Sequence, residues 1–135
     1  MFVTEARPTA QSTYRMPVQV DTARAPQRLV LTVTDPWPAI DEFSSLRQSL
    51  IKSGHLNELS RALIDMRHAN PPNYHDANAI VAAAIKDGAW PLSRAYLVGS
   101  AVQFGFARQL QSLAPRQMEV QIFTSEDEAL RWLNR

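Results

Sequence analysis

The sequence predicts a single α/β domain with a five-stranded, mostly parallel sheet, an antiparallel first strand and four helices. The chain has 135 residues, the length of one ordinary domain. Segments with the two-residue periodicity of strands alternate with segments that have the periodicity of helices. Helix-starting and helix-ending residues stand at the boundaries between these segments.

The amino-terminal segment predicts an arm followed by a β-hairpin. Residues 1–13 are polar and aperiodic, so we expect a mobile arm there, and residues 14–135 form the predicted domain. Residues 14–21 alternate between apolar and polar side chains, as in a strand with one solvent-facing side. The β-branched, apolar segment Arg28–Thr34 should pair with that strand in the antiparallel orientation.

The first two helices are predicted from the residues at their ends. Asp35 and Pro36 are typical of an N-cap and a first helical position, and the apolar stripe that follows them stops at Gly54. The second helix is expected over residues 73–87, where Gly88 ends it. Glycine is the usual residue just beyond a helix because it readily adopts the left-handed conformation.

The last two helices each begin with a serine at capping-box spacing. Ser100 is followed by Gln103, and Ser125 is followed by Glu128. The apolar spacing of the third helix predicts a buried seam comprising Val102, Phe106, Leu110 and Leu113.

Three further strands carry the chain between these helices, over residues 62–66, 94–99 and 118–123. Because a helix returns the chain across the sheet after each strand, these strands should run parallel. Open α/β sheets usually bind their ligands at the carboxyl ends of such strands. We therefore expect the recognition surface at the loop that follows Met66.

Composition restricts the possible functions. The net charge is +1 and the basic residues are scattered, so we do not expect nucleic-acid binding. The apolar runs are far too short for a membrane span. The absence of cysteine excludes disulfides and thiolate chemistry, and it fits a cytoplasmic location.

Several polar residues crowd the end of the strand at Met66 and the loop that follows it, namely Asp65, Arg67, His68, His75 and Asp76, with Tyr74 beside them. A histidine oriented by an aspartate could act as a general base, and the same residue types bind metals. The plain alternative is that Arg67 bonds loop backbone, that the histidines lie on the surface, and that Tyr74 packs on the loop. No established metal or catalytic spacing occurs here, so we expect no catalytic residue, no metal and no cofactor.

Three more residues are candidates for binding. Trp37 and Phe104 follow strand ends, and large apolar side chains off the core stripe suggest a pocket lid or a subunit contact. Burial in the main core is the alternative, equally weighted for Trp37 and less favoured for Phe104. Ser100 stands where an elbow nucleophile would stand, but the segment lacks the second glycine of that motif. Helix capping explains Ser100 better.

The order of three motifs resembles the STAS domain superfamily and, more narrowly, the bacterial SpoIIAA-like proteins. The motifs are Leu63-Ile-Asp-Met-Arg67, Tyr96-Leu-Val-Gly-Ser100 and Phe123-Thr-Ser-Glu-Asp-Glu-Ala-Leu-Arg-Trp-Leu133. The resemblance implies the STAS fold over residues 14–135 and a regulatory role in a bacterium. In the anti-sigma-factor antagonists a serine at the start of the second helix is phosphorylated. The matching positions here are Asn73, Tyr74 and His75, so the resemblance does not imply that switch.

These observations lead to three functional hypotheses. The first is a non-catalytic protein-interaction module with a protein partner or self-association. The second is that the chain binds a small anionic or lipid-like ligand in a crevice at the carboxyl ends of the strands. The residues expected to line this crevice are Trp37, Arg67, Tyr74, Ser100 and Phe104. The third is an enzyme, and it requires His68, His75 and Asp76 to converge.

Overall fold

The residues described by the computed structural model form five strands and four helices, in the order ββαβαβαβα. The structure describes residues 18–21, 28–57, 59–88 and 93–135, and the predicted arm lies outside these residues. The strands are β1 (Val18–Asp21), β2 (Arg28–Thr34), β3 (Arg61–His68), β4 (Ser93–Leu97) and β5 (Glu119–Phe123). The helices are α1 (Ile40–Lys52), α2 (Tyr74–Asp87), α3 (Ala101–Leu113) and α4 (Glu126–Leu133).

The strands form one sheet in the order β1-β2-β3-β4-β5. β1 is antiparallel to β2, with Val20 opposite Leu31, and the remaining neighbours are parallel, with Leu63 of β3 opposite Ala95 of β4. The prediction of a five-stranded, mostly parallel sheet with an antiparallel first strand is therefore confirmed.

The connections decide which face of the sheet each helix covers. Since β2 to β5 are parallel and lie in sequence order, right-handed crossovers carry α1, α2 and α3 to the same face. Alternate strand residues point to opposite faces. Met66 and Tyr96 pack with Phe106 of α3, whereas Leu63 packs with Leu133 of α4. We call the first side the three-helix face and the second side the α4 face.

The first helix begins later than predicted. Its N-cap is Ala39, whose backbone N–H donates to the Glu42 carboxylate at 2.9 Å. The Asp35 carboxylate instead accepts hydrogen bonds from the backbone N–H and the side-chain amide of Asn70, at 2.7 and 3.2 Å. The expectation that Asp35 and Pro36 start this helix is wrong, because Asp35 joins the loop after β2 to the loop after β3. The predicted end is confirmed, since Gly54 has a φ of 83°.

The buried stripe of α3 also differs from the prediction. Val102 is 69% exposed, whereas Phe106 and Leu110 are buried. The inward positions are Gln103, Phe106, Ala107 and Leu110, at steps of three and one characteristic of a helix face. A polar residue therefore takes the first place in the stripe, and the expectation for Val102 is wrong.

Gln103 joins two loops at the carboxyl edge of the sheet. Its Oε1 accepts a hydrogen bond from the Gly99 backbone N–H at 2.7 Å, and its Nε2 donates to the carbonyls of Arg67 and Ala69 at 3.2 and 3.0 Å. Its own backbone N–H donates to Ser100 Oγ at 3.1 Å, which confirms Ser100 as the helix cap. One buried side chain thus fixes the ends of both β3 and β4.

We expect Gln103→Ala to lower the free energy of unfolding by about 2–4 kcal/mol, because it leaves buried backbone groups without partners. Urea denaturation followed by circular dichroism measures this change. Gln109→Ala, on the exposed side of the same helix, is the matched control and should have little effect. Equal decreases in the free energy of unfolding for Gln103→Ala and Gln109→Ala would contradict the role assigned to Gln103.

Candidate functional site

A cavity of about 110 Å³ lies between the sheet and α1–α3 on the three-helix face. Its lining includes Leu29 and Val33 of β2 together with Ala62 and Met66 of β3. These residues are four positions apart on each strand, so the cavity extends for roughly 13 Å along the strands. Its volume is several times the ~10–15 Å³ that a single water molecule requires.

Apolar side chains form most of the cavity wall. α1 contributes Phe43 and Leu46, and α2 contributes Ile80 and Val81. Short side chains at Ala62 and Ala84 leave space where a leucine would fill it. The cavity therefore results from the residue sizes on several elements.

Trp37 closes the cavity at the carboxyl edge of the sheet. Its ring meets Phe106 edge-on with centroids 5.4 Å apart, and it lies 6.2 Å from the Phe43 ring. Its indole Nε1 is buried and has no hydrogen-bond partner among the described residues. Trp37 thus packs on the core and also lines the cavity.

Two arginines line the cavity near the amino edge of the sheet. Arg94 is the second residue of β4, and its Nη1 donates to the Tyr96 hydroxyl at 3.2 Å. Its Nε is buried without a hydrogen-bond partner in the described part of the chain. Arg47 lies in the second half of α1 and forms an ion pair with Asp87, the last residue of α2, at 2.8 Å.

The Arg47–Asp87 pair joins α1 to α2 beside the cavity. Burial lowers the pKa of Arg47, hydrogen bonding and the charge of Asp87 oppose this, and the nearby charge of Arg94 lowers the pKa further. Burial alone would raise the pKa of Asp87, but hydrogen bonds from Ser44 and Arg47 outweigh it and hold the pKa below its ordinary value. Asp87 is therefore ionised at neutral pH.

Arg67 lies on the α4 face, away from the cavity. Its Nε and Nη2 donate to the two carboxylate oxygens of Asp65 at 3.0 and 2.8 Å, and Nη2 also contacts Glu126 of α4 at 3.2 Å. Burial alone would raise the pKa of Asp65, but the hydrogen bonds from the Arg67 side chain and backbone lower it below its usual value. Because Arg67 lies on the α4 face and Trp37 lines the cavity on the three-helix face, the two residues do not share a crevice.

The remaining candidates are dispersed. His68 and Ser100 are exposed, and Phe104 is 43% exposed on α3. Tyr74 and His75 begin α2, but their side chains lie outside the described part of the structure. Among the described residues, no group of three or more histidines and acidic residues could hold a metal ion. None of the described helices is long and apolar enough to cross a membrane.

Sequence reasoning missed the three polar residues that line the amino-edge end of the cavity. A usable signal was present for each of them. Arg94 and Tyr96 stand two positions apart on a strand and so share one face. Arg47 stands on the apolar stripe of α1, four residues after Phe43 and three before Leu50. A charged residue on an apolar stripe is informative because it must find a partner.

Comparison with known proteins gives a fold. No family model matches the chain, and no curated protein matches it. The chain is similar to the crystal structure of an uncharacterized protein of the DUF3478 family, with a SpoIIAA-like fold, from Shewanella loihica PV-4. The TM-score is 0.63 at 18% sequence identity, and the match covers 92% of this chain and 99% of that chain. Similarity at this identity establishes the fold alone, so this chain has the SpoIIAA-like α/β fold that the sequence motifs implied.

Proposed function

We propose that this chain is a non-catalytic binding module whose ligand is a small, mainly apolar molecule in the cavity on the three-helix face. The cavity itself is the observation that carries the proposal. Its walls are apolar along roughly the length of the strands, and a few polar groups stand at its ends. This combination of apolar walls and a few placed polar groups is typical of small-molecule sites.

The energetics also favour an occupant. An apolar ligand that covers the apolar lining gains about 25 cal/mol for each Å² of surface removed from water. The buried Trp37 Nε1 is a donor without an acceptor among the described residues, which is unfavourable. A bound molecule with an apolar body would restore the missing contacts.

The chemistry of the lining supports binding over catalysis. The titratable side chains that line the cavity in the described chain are Arg47, Arg94 and Tyr96. An arginine cannot accept a proton at neutral pH, so neither guanidinium can act as a general base. His68, the last residue of β3, is exposed and is not part of the lining.

A second candidate function, binding of another protein, is favoured by Phe104. This ring is 43% exposed on α3, and the Arg108 guanidinium lies 6.0 Å from its centroid. Aromatic residues and arginine are enriched at protein interfaces. Phe104 and Arg108 therefore support the protein-interaction hypothesis, with a second copy of the chain as the simplest partner to test.

The cavity proposal is tested by filling the cavity. Ala84 lines it and Ala82 is exposed on the same helix, so Ala84→Leu and Ala82→Leu add the same side chain inside and outside. We expect Ala84→Leu to raise the stability of the ligand-free protein by about 0.5–2 kcal/mol through cavity filling. It should also abolish the thermal shift that decanol produces in the wild type and in Ala82→Leu. Identical thermal shifts in the two variants would contradict the proposal.

The protein-binding candidate is tested by Phe104→Ser, with Val102→Ser as a control that removes another exposed apolar side chain of α3. If Phe104 mediates self-association, sedimentation velocity over a concentration series should show association for the wild type and Val102→Ser only. Because the ring is exposed, thermal stability should change by no more than about 0.5 kcal/mol. A wild type that sediments as a monomer at every concentration would reject self-association through this ring.

A further inference from the structure

We infer that the ligand is an amphiphile with a single anionic head, of which a medium-chain carboxylate is the simplest case, and that this head binds Arg94 near the amino edge of the sheet. The inference rests on the proposed function, and it adds the chemistry and the orientation of the ligand. Arg94, Arg47 and Tyr96 are the residues that carry it.

Arg94 has unused hydrogen-bonding capacity in the cavity lining. One of its terminal nitrogens donates to the Tyr96 hydroxyl, while its buried Nε has no partner among the described residues. A guanidinium donates in a planar fork that matches the two oxygens of a carboxylate. A carboxylate head would pair with the guanidinium in this fork, and a small rotation of the Arg94 side chain would bring its buried Nε to the head.

The charges of the lining indicate one negative charge on the ligand. Arg47 is balanced by Asp87 through the ion pair at 2.8 Å. Arg94 forms no ion pair with any described carboxylate. The two guanidiniums also lie close enough for the charge of Arg94 to lower the pKa of Arg47. A monoanion beside Arg94 would balance the remaining charge.

The rest of the cavity determines the apolar part of the ligand. Apart from Arg47 and Arg94, the described lining carries no charged group, and toward Phe43 and Met66 it is apolar. Trp37 at the far end offers a neutral N–H, which can donate a hydrogen bond but cannot balance a charge. The tail should therefore extend from Arg94 toward the carboxyl edge of the sheet.

The test compares decanoate with decanol, which has the same chain and a neutral head, by calorimetric titration below micelle-forming concentrations. The wild type should bind decanoate more tightly. Arg94→Met should weaken decanoate binding by about 10- to 100-fold, the effect of losing a charged hydrogen bond, and leave decanol binding unchanged. Arg131→Met removes one positive charge from the exposed surface of α4 and should bind both ligands like the wild type.

The possible outcomes distinguish a failure of this inference from a failure of the proposed function on which it rests. Equal affinities of the wild type for decanoate and decanol would overturn the anionic head while leaving an apolar binding site. No binding of either ligand, together with no effect of Ala84→Leu, would overturn the proposed function and the inference with it. If Arg94→Met fails to fold, Arg94→Lys replaces it, because lysine keeps the positive charge but lacks the planar fork. An affinity of Arg94→Lys for decanoate that lies between the wild-type affinities for decanoate and for decanol supports Arg94 as the head-group site. If Arg94→Lys binds decanoate and decanol each with the wild-type affinity, the assignment of Arg94 as the head-group site is overturned.

Discussion

The strand order is the constraint on which the rest of the structure depends. Because β2 to β5 follow one another in sequence order, three successive right-handed crossovers place α1, α2 and α3 on one face of the sheet. The ligand crevice common in α/β sheets forms where the strand order reverses and neighbouring crossovers go to opposite faces. No such reversal occurs among the described strands. The cavity lies instead inside the layer between the sheet and its helices.

That internal space depends on a balance between small and charged side chains. Ala62 and Ala84 are too short to fill the region where α1 and α2 meet the sheet. The Arg47–Asp87 ion pair fixes the end of α2 against α1. Removing either Arg47 or Asp87 would leave the other charge partly buried without a partner, which is strongly destabilising. The ion pair therefore holds α1 and α2 at their observed distance from each other. Packing alone would favour a more collapsed arrangement of the same apolar residues.

The sequence predicted those features that depend on local signals. Strand alternation and the residues at the helix ends were sufficient for the element order and for the left-handed Gly54 and Gly88. The errors came from distant partners: Asp35 bonds Asn70, 35 positions away, and Gln103 takes an inward place because it bonds carbonyls at the end of β3. The predicted crevice overlooked strand alternation, which directs Arg67 to the α4 face. The cavity could not be predicted, because it depends on side-chain volumes from elements far apart in sequence.

The position of Arg94 also explains how an anion can bind near the amino edge, where the backbone opposes it. α1 and α2 end at this edge, and helix carboxyl ends carry a partial negative charge. An anion here gains nothing from the backbone and must be held by a cationic side chain. Of the two arginines that line the cavity, Arg47 already neutralises Asp87, which leaves Arg94 as the cationic group for the proposed ligand. The proposed selectivity for a charged head therefore depends on one guanidinium.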